Sequence, residues 1–345
     1  MLSFLQSVFN RQPKSAEDAT ATASPPPSQV DAPGAEPLVL EPLIRRAHGL
    51  PHFDWDAVYR WVDALDAAAQ PAAWEACERA WLVHLQHALG PAYSLREAGD
   101  ALLLSSLEAN VARATLEFMT KTESRILRVL DGVARKIEWG KTILVVFDDG
   151  DAYYRYVSHF YPESGEFAMS GGMYINAGCG HFVTVKNDLR AIEPVIVHEL
   201  VHGLVSHLPM PAWLNEGLAV NTEQRLSPSP RLFSPHQMHA KHLAFWGNGE
   251  MQEFWSGKSF LRSDDGNMLS YDLARIFVEQ FSSDWPSFSA FVNAATLADA
   301  GSEAARLHLE IDLGAAACAL LEKEPDAAWH PAPERWMEAP ERGAF

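Results

Sequence analysis

The sequence predicts an α+β fold that is mostly helical, with a helical N-terminal module ahead of a domain that places a small mixed β-sheet over one buried helix. Three observations predict it. From Trp55 to Lys136 apolar residues recur at helical spacing. After Gly140 the pattern changes to short β-rich runs. From Ala191 to Leu208 the chain is apolar nearly all round, which is typical of a helix inside a core.

Composition divides the chain into four segments. Residues 1–38 are rich in Pro, Ala, Ser and Thr and predict a disordered N-terminal segment and linker. Residues 39–138 form the helical module, and residues 139–325 form the α+β domain. Residues 326–345 are Pro-rich and predict an irregular C-terminal tail.

Charge and hydropathy exclude two classes of function. The 345 residues include 27 Lys and Arg against 45 Asp and Glu, a net charge of −18. Nucleic-acid binding needs clustered basic residues, so no nucleic-acid partner is expected. No apolar run is long enough to cross a bilayer. Met1–Phe9 lacks the basic start and cleavage site of a secretion signal, so we expect a cytoplasmic protein with at most a weak N-terminal contact to a membrane or partner.

Within the module, the spacing predicts helices and no strands. The predicted helices begin near Trp55, span Ala76–Leu89 and span much of Ala98–Val133. His84 and His87 are three residues apart on the second of these. No acidic or Cys partner pattern follows, so we interpret them as surface or core histidines rather than a metal pair.

The α+β domain begins with strand patterns. Thr142–Phe147 predicts a strand that ends at the turn Asp148–Gly150, and a helix is expected over Asp151–Phe160. Ser170–Ile175 and His181–Val185 predict two further strands joined by a Gly-rich turn.

The rest of this domain is predicted to be helical. Helices are expected over Ser270–Phe281, Trp285–Ala295 and Ala304–Glu322. His239 and His242 lie three residues apart in an earlier His-rich stretch. A second metal site is conceivable there, but an amphipathic surface helix is the favoured interpretation.

The buried helix contains His198-Glu199-Leu200-Val201-His202, an HExxH motif. Two histidines four residues apart lie on one helix face and can share a metal ion, whereas in a strand they would be about 13 Å apart. Glu199 is close enough to such a metal to take the proton of an attacking water. This residue set is the minimum for metal-activated hydrolysis.

A third protein ligand is needed, and two patterns compete for it. A histidine six residues after His202 is ruled out because Leu208 stands there, and His207 is turned off the ligand face. Glu216 is the better candidate, since it falls early in a second helix that begins after Pro211 and can pack across the first.

The two motifs HELVH and PAWLNEGLA resemble the gluzincin metallopeptidases, in particular the small bacterial peptidase-MA-like family with its W-L-N-E-G-x-A signature. The resemblance covers roughly residues 140 to 325 in the order of elements. It implies a thermolysin-like catalytic domain, a Zn²⁺ ion bound by His198, His202 and Glu216, and Glu199 as the general base.

Two further expectations follow from the resemblance. Tyr271 falls where related gluzincins carry a tyrosine that donates to the oxyanion, a task suited to a phenol. In gluzincins an edge strand beside the zinc pairs with extended substrate, and Gly171–Gly172 would allow a close backbone approach.

One position departs from the family pattern. In thermolysin-like relatives an Asp four residues after the ligand Glu orients a zinc-bound histidine, and here Val220 stands in that place. The partner that orients the histidine is therefore open, with Asn215 and Asn221 as candidates.

The sequence thus predicts a zinc metallopeptidase that hydrolyses a peptide or protein substrate. One alternative is a metal hydrolase of a non-peptide amide, deformylase-like, for which Cys179 is a candidate ligand, although a plain turn cysteine is favoured. The other is a non-catalytic metal-binding scaffold. Glu199 argues against it, because a purely structural site has no use for a general base.

Overall fold

The computed structural model describes residues 25–160, 171–228 and 232–336. The predicted contact segment Met1–Phe9 and most of the predicted linker lie outside these ranges. In the described part of the linker, residues 29 and 30 pair with residues 38 and 39, so the prediction of disorder up to residue 38 is wrong there.

The described ranges contain nine strands and twelve α-helices. The strands are β1 (Gln29–Val30), β2 (Leu38–Val39), β3 (Ile44–Ala47), β4 (Leu50–Phe53), β5 (Ser94–Ala98), β6 (Ala101–Ser105), β7 (Thr142–Phe147), β8 (Gly172–Ala177) and β9 (Cys179–Val185). The helices are α1 (Trp55–Asp63), α2 (Gln70–Leu89), α3 (Ala109–Val129), α4 (Gly150–Val157), α5 (Leu189–Val205), α6 (Ala212–Leu226), α7 (Pro235–Phe245), α8 (Asn248–Trp255), α9 (Asp265–Phe281), α10 (Trp285–Ala294), α11 (Ser302–Leu309) and α12 (Leu313–Leu320). This content confirms the α+β class.

Five strands form one mixed sheet in the order β5-β6-β7-β9-β8. The three central strands β6, β7 and β9 are parallel, and the edge strands β5 and β8 are antiparallel to their neighbours. Helix α3 connects β6 to β7, as parallel pairing requires a crossover. Strand β8 lies at the sheet edge nearest to helix α5, with which it is in contact.

Alternate residues of the central strands point to opposite faces of the sheet and enter two hydrophobic cores. Leu103, Leu144 and Phe182 join a core built from α3, α5, α6, α9 and the later helices, called the α5 core here. Val145 and Val183 join a second core built from α1, α2, α4 and the N-terminal hairpins, called the α2 core.

The prediction that residues 39–138 are helical throughout is wrong at two hairpins. Ile44–Phe53 forms β3 and β4, and Ser94–Ser105 forms β5 and β6. The apolar run Ala101–Leu104 is short and buried on both faces, and such a run has the same composition in a strand and in a helix. Because β6 pairs with β7, the sheet contains residues from both sides of the predicted boundary at 138/139.

Most later predicted elements are present, but α9 begins at Asp265 rather than Ser270, and α8 was not predicted. The predicted helix Ala304–Glu322 is two helices, α11 and α12, because the backbone at Glu310 is left-handed (φ 57°). In the predicted tail, Trp329 is buried and two short 3₁₀ turns form, at residues 327–329 and 333–335. No helix among the described residues is both long and apolar enough for a membrane span.

Candidate metal centre

Helix α5 carries the HExxH motif. Its N-terminus is capped by Asp188, whose side chain accepts a hydrogen bond from the backbone N–H of Ala191. The helix starts earlier than predicted, so Pro194 lies inside it rather than in its first turn. The apolar residues that fill the α5 core hold the helix under the sheet. His198 and His202, one turn apart, emerge on the face that meets α6.

Helix α6 supplies the third side chain. It begins at Ala212, directly after Pro211, and packs closely against both α5 and α9. Gly217 permits the approach to α9, because a Cβ there would lie 2.6 Å from the carbonyl oxygen of Ala274. Glu216, the residue before this glycine, is thereby directed toward the two histidines.

The three predicted ligands converge. One carboxylate oxygen of Glu216, Oε2, lies 3.1 Å from Nε2 of His198 and 3.5 Å from Nε2 of His202. The candidate donor atoms of the three residues all lie within 4.8 Å of one another. Ligands held at 2.0–2.2 Å around a tetrahedral ion are about 3.3–3.6 Å apart, so the two distances measured from Glu216 are close to those expected around a single small metal ion.

The other nitrogen of each imidazole is also engaged. Nδ1 of His202 lies 2.9 Å from the Asn215 side-chain oxygen, and Nδ1 of His198 lies 3.1 Å from Glu223 Oε2. Each contact places the ring proton on Nδ1 and leaves Nε2 free to bind a metal, the usual arrangement of metal-binding histidines.

These contacts show which residues orient the two histidines, although Val220 stands where thermolysin-like relatives carry an Asp. The candidate Asn215 is confirmed as a partner of His202. Asn221 is not a partner, because its amide donates to the backbone carbonyls of Gly217 and Arg275 instead.

The partner of His198, Glu223, was missed by the sequence analysis. It stands seven residues after Glu216, which is two helical turns and therefore the same helix face. This seven-residue spacing was the feature of the sequence that could have identified Glu223.

Electrostatics favour charged forms in this cluster. Burial alone would lower the pKa of His198, but hydrogen bonds to Glu216 and Glu223 outweigh it and raise this pKa well above its ordinary value. For His202, likewise, the charge of Glu216 outweighs burial and raises the pKa. Burial pushes the pKa of Glu216 upward, but the two imidazoles hold it far below its usual range. A carboxylate between two imidazoles is a donor set suited to a divalent cation.

Glu199 lies beside this cluster and is buried. Its pKa is raised, first by burial and further by the charge of Glu216, although the histidines and the backbone N–H of Tyr174, which donates to it, oppose the shift. A carboxyl group with a raised pKa is a suitable acceptor and donor of protons near neutral pH.

Tyr271 is placed on helix α9 next to the cluster. Its ring centroid is 6.3 Å from that of His198, and its ring packs edge-on against Phe260. Burial raises the pKa of the phenol well above its usual value, and the charges of Glu216 and Glu199 add to the effect. The hydroxyl therefore stays protonated at neutral pH and can donate a hydrogen bond.

Cys179 takes no part in the cluster. It is the first residue of β9, not a turn residue, and lies in the α2 core with its sulfur 3.9 Å from Glu78 Oε1. The deformylase-like ligand set that would include it is therefore wrong.

The other histidines considered as metal ligands are engaged elsewhere. Nε2 of His84 contacts the carbonyl oxygen of Pro27. His242 is buried rather than on a helix surface, and it bridges the Trp246 indole and the Asp272 carboxylate at 2.8 and 2.9 Å.

Comparison with known proteins adds no family assignment. No protein-family model matches the chain, and no curated protein is significantly similar to it in sequence. Its function is therefore argued from the geometry of the site.

Proposed function

We propose that the protein is a zinc-dependent metallopeptidase with a gluzincin-like site. One observation carries the proposal: Nε2 of His198, Nε2 of His202 and an oxygen of Glu216 surround one point. Glu199 follows His198 directly on the same helix. Three protein ligands leave a fourth position for a reacting molecule, as catalytic zinc sites require.

The donor set favours zinc among the common metals. Two imidazole nitrogens and one carboxylate oxygen in a small cluster suit Zn²⁺, whereas Mg²⁺ and Ca²⁺ prefer sites made of oxygen alone. When bound, zinc supplies Lewis acidity, which lowers the pKa of water and polarises a carbonyl group. The side chains of His198 and Glu216 keep 15% and 20% of their surface exposed, so a substrate can reach the site.

Glu199 is assigned the proton transfers. Its carboxylate takes a proton from the attacking water and returns that proton to the nitrogen of the leaving amine. Burial favours the protonated form, so the carboxyl can hold the proton between the two steps.

Tyr271 is assigned the stabilisation of the oxyanion. Negative charge develops on the carbonyl oxygen as the tetrahedral intermediate forms, and a preorganised phenol can donate to it. The position of the ring beside His198 supports this role.

Strand β8 is assigned the binding of extended substrate. It is the edge strand of the sheet on the side of α5 and Glu199. A peptide added along this edge would pass beside the general base, and main-chain pairing would hold it with little dependence on its side chains. A peptide or protein substrate is therefore proposed.

The test combines zinc content, hydrolysis and one substitution. The zinc-loaded protein is incubated with fluorescein-labelled casein and a random octapeptide library, with and without 1,10-phenanthroline. We expect cleavage that the chelator abolishes and zinc restores. Glu199→Gln should keep one zinc per chain and lose hydrolysis by about three orders of magnitude or more, because proton transfer and activation of the water are both lost.

Glu193→Gln is the matched control, since it removes the same charge from the same helix away from the cluster. Full activity in Glu199→Gln would end the mechanism. A zinc-loaded protein that cleaves N-formyl amides and no peptide would favour the alternative hydrolase, and one that cleaves neither would favour a binding scaffold.

A further inference from the structure

Helix α7 lies on the surface, and its most deeply buried contact is polar. Of its eleven residues, all of which the structure describes, only His242 is buried, with 2% of its surface exposed. The apolar residues Met238 and Phe245 of this helix are only half-buried. A surface helix normally packs through a stripe of buried apolar residues. The partners of His242 therefore indicate what this unusual contact does.

Both nitrogens of the His242 imidazole have a partner, and the two partners fix its tautomer. The indole Nε1 of Trp246 donates a hydrogen bond to Nδ1 at 2.8 Å. An indole N–H can only donate, so Nδ1 accepts and the ring proton lies on Nε2. Nε2 lies 2.9 Å from Oδ2 of Asp272 and donates to this carboxylate. The imidazole thus joins α7 to helix α9 through a defined donor and a defined acceptor.

The carboxylate of Asp272 has a second partner on its own helix. Its Oδ1 accepts a hydrogen bond from Nε of Arg275 at 2.9 Å. The backbone carbonyl of Arg275 in turn accepts from the side-chain amide of Asn221 on α6, also at 2.9 Å. This part of α9 is thereby bound both to α7 and to α6, the helix that carries Glu216.

Tyr271 stands between two residues of α9 that are bound to other elements. Asp272 follows it, and Ser270, which precedes it, is buried with its hydroxyl 2.7 Å from that of Ser259. Ser259 directly precedes Phe260, the residue that packs edge-on against the Tyr271 ring. A phenol at the end of a long side chain moves when its backbone turns. Contacts at both neighbouring residues therefore restrict the position of the phenol.

The polar nature of the α7 contact supports a role in orientation. An apolar residue at position 242 would attach α7 without the cost of burying a polar pair. A hydrogen bond weakens steeply when donor and acceptor are misaligned, whereas an apolar contact has no preferred direction. The pair formed by His242 and Asp272 is therefore suited to orienting α9 and not only to covering it.

We propose that His242 is a positioning residue, which holds the Tyr271 phenol at the candidate metal centre by fixing the neighbouring carboxylate of Asp272. The inference rests on the proposed function, because it gives Tyr271 the role of oxyanion donor. The ring centroid of Tyr271 lies 6.3 Å from that of His198. A donor to a developing charge is most effective when it is held in place before the reaction. Misplacing a catalytic group by about 1 Å can cost about 100-fold in rate.

The first experiment follows the Tyr271 ring without measuring activity. The chain has eight tyrosines, so ¹³C labelling of the tyrosine rings gives a small set of signals, and the one missing in Tyr271→Phe is that of Tyr271. His242→Leu should shift this signal, because the ring moves relative to its aromatic neighbours. His242→Gln should leave it in place, since an amide can donate to Asp272 and accept from Trp246. An unmoved signal in His242→Leu would overturn the proposal, whether or not the protein is a peptidase.

The second experiment measures hydrolysis of labelled casein by the zinc-loaded protein. His242→Leu should lower kcat about tenfold with KM and zinc content unchanged, because the oxyanion donor is displaced while substrate and metal still bind. His242→Gln should recover kcat to within about twofold of the wild type. The double variant His242→Leu with Tyr271→Phe should be no slower than Tyr271→Phe alone, since His242 acts through the phenol.

Gln252→Leu is the matched control. Gln252 is also buried and also joins two parts of the chain, because its side-chain amide donates to the carbonyl oxygens of Ala328 and His330 at 3.0 and 2.7 Å. Gln252→Leu should lose stability and keep kcat. If His242→Leu fails to fold, Trp246→Phe removes only the indole donor and should give a smaller loss of kcat, again not additive with Tyr271→Phe.

Three outcomes would overturn the positioning role. They are additive losses of kcat in the double variant, equal losses in His242→Gln and His242→Leu, and a loss of zinc in His242→Leu. Absence of chelator-sensitive cleavage in the wild type would count against the proposed function alone, and the ring signal of Tyr271 would still decide whether His242 holds the phenol in place.

Discussion

Two groups of histidine and glutamate residues lie on opposite faces of the sheet, and their pKa values are shifted in opposite directions. In the α2 core, burial lowers the pKa of His52 to about 3 and that of His181 to about 4, and it raises the pKa of Glu78 to about 8. All three are neutral near pH 7. In the α5 core, the two metal-ligand histidines have raised pKa values and Glu216 a lowered one.

The side chains of His198, His202 and Glu216 keep only 11–20% of their surface exposed, so their partners rather than their exposure explain the difference. Nε2 of His181 meets the hydroxyl of Tyr156, and Nδ1 meets the carbonyl oxygen of Cys179. Nε2 of His52 has no hydrogen-bond partner among the residues that the structure describes. In the α5 core a carboxylate lies between the imidazoles. Burial neutralises an isolated imidazole, whereas an adjacent carboxylate offsets the effect of burial and raises the pKa of the imidazole.

The largest effect is expected when one of the three candidate metal ligands is removed. His202→Ala leaves two ligands, which cannot retain zinc through dialysis, so stoichiometric metal should be lost. His207→Ala, five residues along and exposed, is the control and should keep one zinc per chain. Atomic absorption on the dialysed proteins measures both. Zinc retained at one per chain in His202→Ala would place the metal elsewhere.

Next in size is the loss of the phenol of Tyr271. Tyr271→Phe keeps the ring packing against Phe260 and removes the proposed oxyanion donor, so kcat on casein should fall about 100- to 1,000-fold with KM little changed. Tyr59→Phe, at an exposed tyrosine, is the control. A change confined to KM would mean that the phenol binds substrate and does not act on the transition state.

A smaller effect is expected from the carboxylate that meets His198. Glu223→Gln should weaken zinc binding about 10- to 100-fold, measured by competition with a chelating dye, because a neutral amide orients and polarises the imidazole less. Val220 lies one turn closer to Glu216 on the same face. Val220→Asp added to Glu223→Gln should recover part of the affinity, and a loss that the added Asp leaves unchanged would point to a packing effect.

Changes in the α2 core are expected to leave the metal site unaffected and to alter only the stability of the fold. The folded pKa of His52 lies below the unfolded value of about 6.5, so its contribution to stability is complete above pH 6.5 and is lost as the pH falls toward 3. Within that range, each unit by which the pH falls lowers the free energy of unfolding by about 1.4 kcal/mol. Urea unfolding at pH 7 and 4.5 measures it.

His52→Phe preserves the stacking on His159 and removes the unpartnered nitrogen. Between pH 7 and pH 4.5 the free energy of unfolding should fall in both proteins, and the fall should be about 3 kcal/mol smaller in this variant than in the wild type. His239→Gln, at the surface, should match the wild type. A change in zinc affinity in His52→Phe would show that the two clusters are coupled through the sheet.

The candidate site could be predicted from sequence because its residues lie in two short motifs with fixed helical spacing. His198, His202 and Glu216 converge once each segment is helical and the Pro211 turn folds α6 back onto α5. Glu223 was missed because the family pattern points to the position four residues after Glu216, whereas the next turn of the same helix face provides the contact.

The strands were predicted well only where their pattern excludes a helix. Thr142–Phe147 is β-branched and aromatic and was predicted to the residue, as observed for β7. Strand β6 contains Ala101 and three leucines, which favour helix intrinsically, and its burial on both faces hides the alternation of a strand. The turn at Gly99–Asp100 was the overlooked signal of the hairpin.

The sheet order has a consequence for any attempt to isolate the metal centre. A fragment starting at residue 139 would retain the two motifs but would lose β5 and β6, leaving a parallel strand, β7, as an open edge. The surfaces of β7 and β9 that face the α2 core would also meet water. Such a fragment would present unpaired backbone groups and apolar surface to its own copies, a known route to aggregation. The smallest soluble unit with an intact centre therefore includes the N-terminal helices and hairpins.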